Sequence, residues 1–252
     1  MRVVMAFVPS VRALPVTFIV TLESFMVYPL YKIFSAIIIT YERFNYNMIK
    51  NVVFDVGMVL ADFRWHDYMT DLGISSEHAD FLGKNMIKTK YWDEMDLGIF
   101  DENSACEFFC TLYPGYKDDI EKFWKDLTEI VWEYDYAEGM IKDIKAAGFG
   151  VYLLSNYPPK LSELHWPGFK FRKHTDGEVI SGIEKVAKPD LKIYKLLCDR
   201  YSLNPSECLF IDDREINVDA AKKSGMEGFV WEPQKGALPE SVKNLKKMLA
   251  ID

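Results

Sequence analysis

The sequence predicts an α/β fold: a doubly wound, Rossmann-like parallel sheet that carries a helical cap insertion. Two observations predict it. Short apolar runs that end in polar residues alternate along the chain with segments of helical spacing. One gap between two such runs is too long for a single crossover helix and implies an inserted subdomain.

Four apolar runs are typical of buried parallel strands: residues 51–55, 150–154, 208–212 and 228–231. They are rich in β-branched and aromatic residues and do not alternate with polar ones. That pattern indicates strands that are covered by helices on both faces.

Helical segments lie between or after these runs. Apolar residues recur at helical spacing over 140–147, 193–201 and 242–249. Gly148 supplies a stop for the first helix, and Pro189 suits the first turn of the second. Strand and helix therefore alternate as a doubly wound sheet requires.

The long gap, about 62–137, contains a strongly amphipathic segment over 120–131. We interpret the gap as a helical cap of residues 63–137, with the α/β core formed by 49–62 and 138–252. Because the insertion leaves the sheet just after the first strand, it is expected over the carboxyl ends of the strands. Ligands bind at those ends in open α/β sheets.

Residues 1–48 form an apolar extension that is expected to lie outside the core fold. Their uncharged runs are shorter than the roughly 20 apolar residues of a spanning helix, and no clean cleavage site follows. Met48, directly before the first strand, is a plausible start of the functional domain. A cytoplasmic protein is predicted, with membrane association through this extension as the alternative that is not favoured.

The chain has 252 residues and a formal charge of −8, of which the first 48 residues carry +2 and the rest −10. An acidic body argues against nucleic-acid partners, which bind through Lys and Arg. None of the four cysteines forms a CxxC pair, so a reduced, intracellular protein is expected.

Polar side chains follow three predicted strands where each strand ends. Asp55 follows the first, Ser155 and Asn156 the second, and Asp212 and Asp213 lie at the end of the third. Each is weak evidence alone, because strand-end aspartates often form turns or caps. Together with Lys188, just before a predicted helix, they converge on one edge of one sheet.

Three carboxylates placed close together repel one another and cannot all ionise comfortably. Lys188 offsets one negative charge, and a divalent cation would offset two more. Mg²⁺ prefers few protein carboxylates, several waters and a substrate phosphate. The pattern therefore predicts Mg²⁺ as cofactor and a small-molecule phosphate ester as substrate.

At this point the motifs resemble a known family. The chain is similar to the haloacid dehalogenase superfamily, in its helical-cap branch (subfamily IA, variant 3-like). Four stretches carry the resemblance in order over about residues 49–232: Phe54-Asp55-Val56-Gly57, Leu153-Leu154-Ser155-Asn156, Lys188-Pro189-Asp190, and Phe210-Ile211-Asp212-Asp213 with Asn217.

The resemblance implies a hydrolase that acts through an aspartyl-phosphate on Asp55, on a sugar phosphate or similar monoester. It implies that Ser155 and Lys188 hold the phosphoryl group, with Asn156 beside them at the substrate. The implied metal ligands are Asp55, the Gly57 carbonyl and Asp213, with Asp212 supporting the ion or its waters. Asn217 is either a supporting residue of the metal site or an ordinary helix residue.

One position departs from the family pattern. Typical phosphatases have an aspartate two residues after the nucleophile, which protonates the leaving group, and here that position is Gly57. General acid–base help is typically worth ~10²–10⁴-fold. Either the enzyme is slow, or its leaving group is good, or another group serves. Asp62, His66 and the substrate itself are candidates for that group, although Asp62 as a turn residue and His66 as cap surface are the favoured interpretations of those two residues.

Two rival hypotheses stay open on the sequence. A metal-independent 2-haloacid dehalogenase has the same fold, but Asp212 and Asp213 argue against it because extra anions hinder attack without a cation. A non-catalytic binding module is the second, and the joint presence of four residues argues against it: Asp55, Ser155, Lys188 and Asp213.

Overall fold

The computed structural model describes residues 49–233 and 240–251. Predictions for residues 1–48 lie outside this range. A five-stranded parallel sheet, in the order β5-β4-β1-β6-β7, forms the centre of the described chain. Its strands are β1 (Asn51–Phe54), β4 (Gly150–Ser155), β5 (Gly177–Ile180), β6 (Cys208–Asp212) and β7 (Glu227–Val230).

Two further strands, β2 (Ala61–Phe63) and β3 (Val131–Glu133), form an antiparallel ribbon. The helices are α1 (Trp65–Asp71), α2 (Ser76–Leu82), α3 (Lys90–Asp96), α4 (Glu102–Leu112), α5 (Lys117–Lys125), α6 (Ala137–Ala146), α7 (Pro159–His165), α8 (Ser181–Glu184), α9 (Leu191–Tyr201), α10 (Glu215–Lys223) and α11 (Glu240–Met248). Shorter helical turns lie at Gly83–Ile87, Pro114–Tyr116, Thr128–Ile130, Trp166–Gly168, Phe171–His174 and Pro205–Glu207.

Successive residues of each buried strand face opposite sides of the sheet, as strand geometry requires. On β1, Val52 and Phe54 join one hydrophobic cluster with α6 and α11, whereas Val53 joins a second cluster with α9 and α10. Helices therefore cover both faces. The predicted doubly wound α/β sheet is confirmed.

The helices α1 to α5 fill the insertion between the two ribbon strands, which confirms the helical cap of the predicted fold class. Arg64 follows β2 directly and its side chain is buried. Its guanidinium donates to the Glu129 carbonyl at 2.9 Å, pairs with Asp71 and lies 3.7 Å from the centre of the Trp132 ring. Arg64 therefore links the two segments that connect the core to the cap, one after β2 and one at β3.

The amphipathic segment predicted as helical over 120–131 is only partly a helix. Helix α5 ends at Lys125, and Asp126 adopts an extended conformation. The Asp126 carboxylate accepts the Thr128 N–H at 2.9 Å, and its carbonyl accepts the Tyr68 hydroxyl. These bonds compete with continuation of the helix, so Leu127 and Ile130 reach the core from a 3₁₀ turn instead.

The expectation that Pro189 occupies the first turn of a helix was wrong. Helix α9 begins at Leu191, and the Asp190 side chain caps it by accepting the Lys192 N–H at 2.9 Å. Pro189 therefore precedes the cap. The other helix signals hold: Gly148 takes a φ of 94° just after α6, the left-handed conformation that ends helices.

Strand β5 was not predicted, and its pattern explains why. It is a four-residue strand at the edge of the sheet, and only Val179 and Ile180 are buried. Glu178, in the middle of the strand, accepts from Arg172 and from the Trp166 indole. A strand with two apolar residues gives too little hydrophobic pattern to distinguish it from a loop.

Ile144→Ala on α6 is expected to lower the free energy of unfolding by about 2–5 kcal/mol, because Ile144 is fully buried and its shortened side chain leaves a cavity. Urea denaturation of the folded protein measures this. Lys142→Ala on the same helix is the control, since Lys142 is exposed and makes only a surface ion pair with Glu138. A control loss as large as the Ile144→Ala loss would contradict the assigned inner face of α6.

Candidate active site

The carboxyl end of β1 carries Asp55, and the parallel neighbours of β1 bring further polar groups to the same edge. In the register of the sheet Phe54 pairs with Ile211, so Asp55 lies level with Asp212 at the end of β6. Strand β4 ends on the other side with Ser155. The predicted convergence at one sheet edge is observed.

Lys188 lies between two of these carboxylates. Its ammonium is 2.9 Å from Asp55 Oδ1 and 2.7 Å from Asp212 Oδ2, and its side chain is only 1% exposed. Burial acts against the charged ammonium, but the carboxylates of Asp212 and Asp55 outweigh it and raise the pKa of Lys188. The lysine is therefore held as a buried cation between two acids.

Asn156 holds the backbone of Lys188 in this position. Its Nδ2 donates to the Lys188 carbonyl at 2.9 Å, and its Oδ1 accepts the Lys188 N–H at 2.8 Å. Both ends of the amide are thus paired with the backbone. Direct substrate binding by Asn156 stays a prediction, and positioning of Lys188 is the role that these contacts describe.

Asp212 is fully buried and its carboxylate is heavily bonded. Besides Lys188, it accepts the Arg214 N–H at 2.8 Å and the Asn217 Nδ2 at 3.0 Å. These bonds fit the predicted supporting role of Asp212. Of the two alternatives for Asn217, contact with the site is the one observed, although Asn217 also lies on α10 as an ordinary helix residue.

Asp55, Asp212 and Asp213 each offer an oxygen, and the three oxygens lie within 4.8 Å of one another. Burial raises the pKa of Asp55 to about 7, against the attraction of Lys188 and with repulsion from Asp212 and Asp213. Burial followed by repulsion from Asp212 raises the pKa of Asp213 to about 6.

The three carboxylates outnumber the Lys188 ammonium by two charges when all are ionised, and the Arg214 guanidinium, which opposes the rise in the pKa of Asp213, offsets part of that excess. Both raised pKa values come first from burial, and repulsion within the cluster adds to them. Oxygen ligands of this kind suit a hard dication such as Mg²⁺, so the residues present fit the predicted ion. Gly57 lines the same cavity as Asp55 and Asp213.

The hydroxyl of Ser155 is buried and has no hydrogen-bond partner within the described residues. A buried hydroxyl without a partner costs about 1–3 kcal/mol, so an acceptor or donor supplied by a ligand would relieve that cost. Ser155 is not among the residues that line the cavity, whereas the next residue, Asn156, is. Its contact with a phosphoryl group stays a prediction.

A cavity of about 250 Å³ lies over the strand ends, between the core and the cap. Its polar floor contains Asp55, Lys188, Asp213 and Arg214. The rest of its wall is largely apolar: Val56, Met58, Phe63, Trp92, Val131, Tyr157, Pro158 and Leu161. The site thus combines a charged floor with an apolar upper chamber.

Neither sequence candidate for the missing acid lines this cavity. Asp62 lies in β2 on the ribbon, and His66 on α1 pairs with Asp80 at 3.5 Å and is 42% exposed. Two cap carboxyls that sequence reasoning did not select, Asp93 and Asp96 on α3, do line it. The sequence contains one indication of this for Asp96: it follows Trp92 by four residues, so the two side chains share a helix face.

Comparison with family models matches residues 49–225 to the haloacid dehalogenase-like hydrolases. The chain belongs to this family. The superfamily predicted from the motifs is confirmed, and the protein is a hydrolase.

Among curated proteins, this hydrolase is 26% identical over 183 residues to the sesquiterpene phosphatase astK of Aspergillus oryzae, covering 71% of this chain and 88% of the relative. It is 27% identical over 204 residues to the D-ribitol-5-phosphate phosphatase of Bacteroides thetaiotaomicron, covering 75% and 94%. (S)-2-haloacid dehalogenases also match.

Among solved structures, the family enzyme bt-2542 of Bacteroides thetaiotaomicron, in complex with magnesium and inorganic phosphate, aligns with a TM-score of 0.57 at 20% identity. The alignment covers 75% of this chain and 96% of that one. Likeness at this identity establishes the shared fold. Within the part of the chain that the structure describes, no helix has the length and apolar character needed to span a bilayer.

In metal-free protein, Asp55→Asn is expected to gain stability relative to wild type as pH rises from about 4 to about 7. The folded-state pKa of Asp55 lies near 7 and its ordinary value is 3.8, so between these values the unfolded chain has already released a proton that the folded chain keeps. Wild-type stability therefore falls across this window, and the asparagine variant escapes that loss.

Thermal melting in chelator from pH 4 to 8 measures the difference. Glu163→Gln, which removes an exposed carboxylate on α7, should follow wild type at every pH. A difference between Asp55→Asn and wild type that does not change with pH would contradict the buried, penalised state of Asp55.

Proposed function

We propose that this hydrolase is an Mg²⁺-dependent phosphatase that acts on a small phosphate monoester through an aspartyl-phosphate on Asp55. The observation that carries the proposal is the ion pair of Lys188 with Asp55 beside a carboxylate cluster whose negative charge Lys188 does not balance. A metal-independent attack on carbon gains nothing from that excess of negative charge. In a phosphatase, the excess would bind a dication, which in turn would bind the phosphoryl group.

In this proposal Asp55, the Gly57 carbonyl and Asp213 hold the metal, while Asp212 supports the site from behind. When bound, Mg²⁺ would neutralise the carboxylates and stabilise charge on the phosphoryl oxygens. Lys188 binds a phosphoryl oxygen and keeps Asp55 ionised for attack. Ser155 donates its unpaired hydroxyl to the same group.

The proposal extends to the domain assignment, with 49–62 and 138–252 as core and 63–137 as cap. The cavity between the two supports it, because its charged floor comes from strand ends and most of its remaining wall comes from the cap, the ribbon and α7. The phosphoryl group would lie on the floor and the organic group in the apolar chamber.

Asp55→Asn is expected to reduce hydrolysis of p-nitrophenyl phosphate with Mg²⁺ to background, because the covalent step loses its nucleophile. Chelator should abolish wild-type activity, and Mg²⁺ should restore it. Glu163→Gln, an exposed carboxylate on α7, is the control and should retain full activity.

Equal rates for wild type and Asp55→Asn would favour the non-catalytic binding module. Halide release from 2-chloropropionate in chelator, with no phosphatase activity, would favour the dehalogenase hypothesis.

The chamber also bears on the organic group of the substrate. A sugar would bring several hydroxyls against apolar side chains such as Phe63, Val131 and Leu161, which cannot hydrogen-bond with them. An apolar alcohol would bury its surface there, and one relative is a sesquiterpene phosphatase. An ester of an apolar alcohol is therefore favoured over the sugar phosphate expected from the sequence.

Hexyl phosphate is expected to exceed glucose 6-phosphate in kcat/KM by more than tenfold. Burial of two methylene groups alone is worth about 1.6 kcal/mol, and tenfold corresponds to about 1.4 kcal/mol. Both esters have primary alkoxide leaving groups, so the ratio reports binding of the organic group. Leu161→Asn should reduce that ratio, and a higher kcat/KM for the sugar ester would contradict the preference.

A further inference from the structure

The cap places the carboxyls of Asp93 and Asp96 in the cavity, and Asp96 is the one that shares a helix face with Trp92. Asp96 is the last residue of α3 in the cap, and it lines the cavity together with Asp55 and Lys188. Trp92, one helical turn earlier, lines the same cavity. The cap therefore turns one aromatic and one acidic side chain of the same helix face toward the strand ends.

The position of Asp96 is unfavourable for a carboxylate that serves only stability. A helix C-terminus carries partial negative charge from its free carbonyls, so an ionised acid there is destabilising. Helix α3 has no basic residue in its last turn, and Asp93 adds another negative charge three residues away. A local rule broken in this way is typical of functional positions.

The core fastens the backbone around Asp96. The Ser181 hydroxyl donates to the Asp96 carbonyl, and the Lys185 ammonium donates to the Gly98 carbonyl at 2.6 Å. A third link follows at the start of α4, where the Glu102 carboxylate accepts the Lys160 N–H at 2.9 Å. These bonds hold the end of α3 against the core and fix the place of Asp96 in the cavity.

The surroundings of Asp96 favour its protonated form. Burial raises the pKa of Asp96 well above its usual range, and the negative charges of Asp93 and Asp55 add to the effect. Lys188 and Arg214 oppose it without reversing it. Lys185, directly after α8, is another cation near the end of α3, and its ammonium donates to the Gly98 carbonyl.

We propose that Asp96 is the general acid and base of the reaction and supplies, from the cap, the proton that no side chain at Gly57 can supply. This inference rests on the proposed phosphatase function. In an in-line displacement the leaving oxygen lies on the far side of phosphorus from the nucleophile. Because Asp55 is on the strand-end floor, that far side faces the cap.

The first step forms a bond from an Asp55 oxygen to phosphorus and breaks the bond from phosphorus to the leaving oxygen. The electron pair of the broken bond stays on the leaving oxygen, which takes the proton of the Asp96 carboxyl. The products are the free alcohol, the aspartyl-phosphate and an Asp96 carboxylate.

The second step uses one water molecule. The Asp96 carboxylate takes a proton from this water as its oxygen attacks phosphorus, and the bond from phosphorus to Asp55 breaks. Inorganic phosphate leaves, Asp55 is again a carboxylate, and Asp96 is again protonated. Atoms and charge balance over the cycle.

The test compares Asp96→Asn with Glu94→Gln in the full chain, on two esters with different leaving groups. Glu94 lies on the same helix but does not line the cavity, so its variant makes the same change from carboxyl to amide without touching the site. p-Nitrophenolate leaves without a proton, whereas hexanolate needs one. First-turnover and steady-state rates are measured for both esters with Mg²⁺.

For Asp96→Asn we expect the first turnover of hexyl phosphate to slow by about 10²-fold or more, the usual worth of acid catalysis. The first turnover of p-nitrophenyl phosphate should stay within a few-fold of wild type, as a burst of about one nitrophenolate per site. Steady turnover should then fall, because the base for the second step is missing. Glu94→Gln should match wild type throughout.

A misfolded variant gives no burst, so the burst itself shows that Asp96→Asn is folded. Suppose that the wild type is active and Asp55→Asn is inactive. If Asp96→Asn then slows the first turnover equally on both esters, or on neither, the role of Asp96 is overturned while the phosphatase proposal stands. A wild type no faster than Asp55→Asn overturns the phosphatase proposal and this inference with it.

Discussion

The buried contact of Lys188 with Asp55 and Asp212 is the constraint on which the rest of the site depends. A lysine that is removed from water must be paired, and here two carboxylates pair with it. The pairing requires β1 and β6 to be neighbours in register, so that their last residues lie level. It also requires the loop before α9 to return to the sheet edge, where Asn156 holds it.

The same cluster sets a conflict between stability and chemistry. Buried, mutually repelling carboxylates favour protonation, whereas a nucleophile must be ionised. Lys188 resolves part of the conflict within the chain, and the remaining negative charge is what makes the cluster a fit for a dication. In the proposed function, a dication bound there would also favour an anionic substrate.

Much of this arrangement could be predicted from the sequence, because it follows from strands that end in polar residues. The neighbours of Asp55 were predictable since parallel strands share one edge. The place of Asp96 in the cavity was not, because the spacing from Trp92 puts the two on one helix face but does not show how the cap folds back over that edge. The edge strand β5 and the early end of α5 were missed because polar contacts at Glu178 and Asp126 override the apolar pattern.

The ribbon of β2 and β3 has a mechanical consequence. Both chain crossings between core and cap run through two strands that are hydrogen-bonded to each other, and Arg64 fastens their ends. Because the two strands are paired, a bend at one crossing would be passed to the other. The cap is therefore joined to the core by one double-stranded connection instead of two independent ones, and this restricts the directions from which it can approach the strand ends.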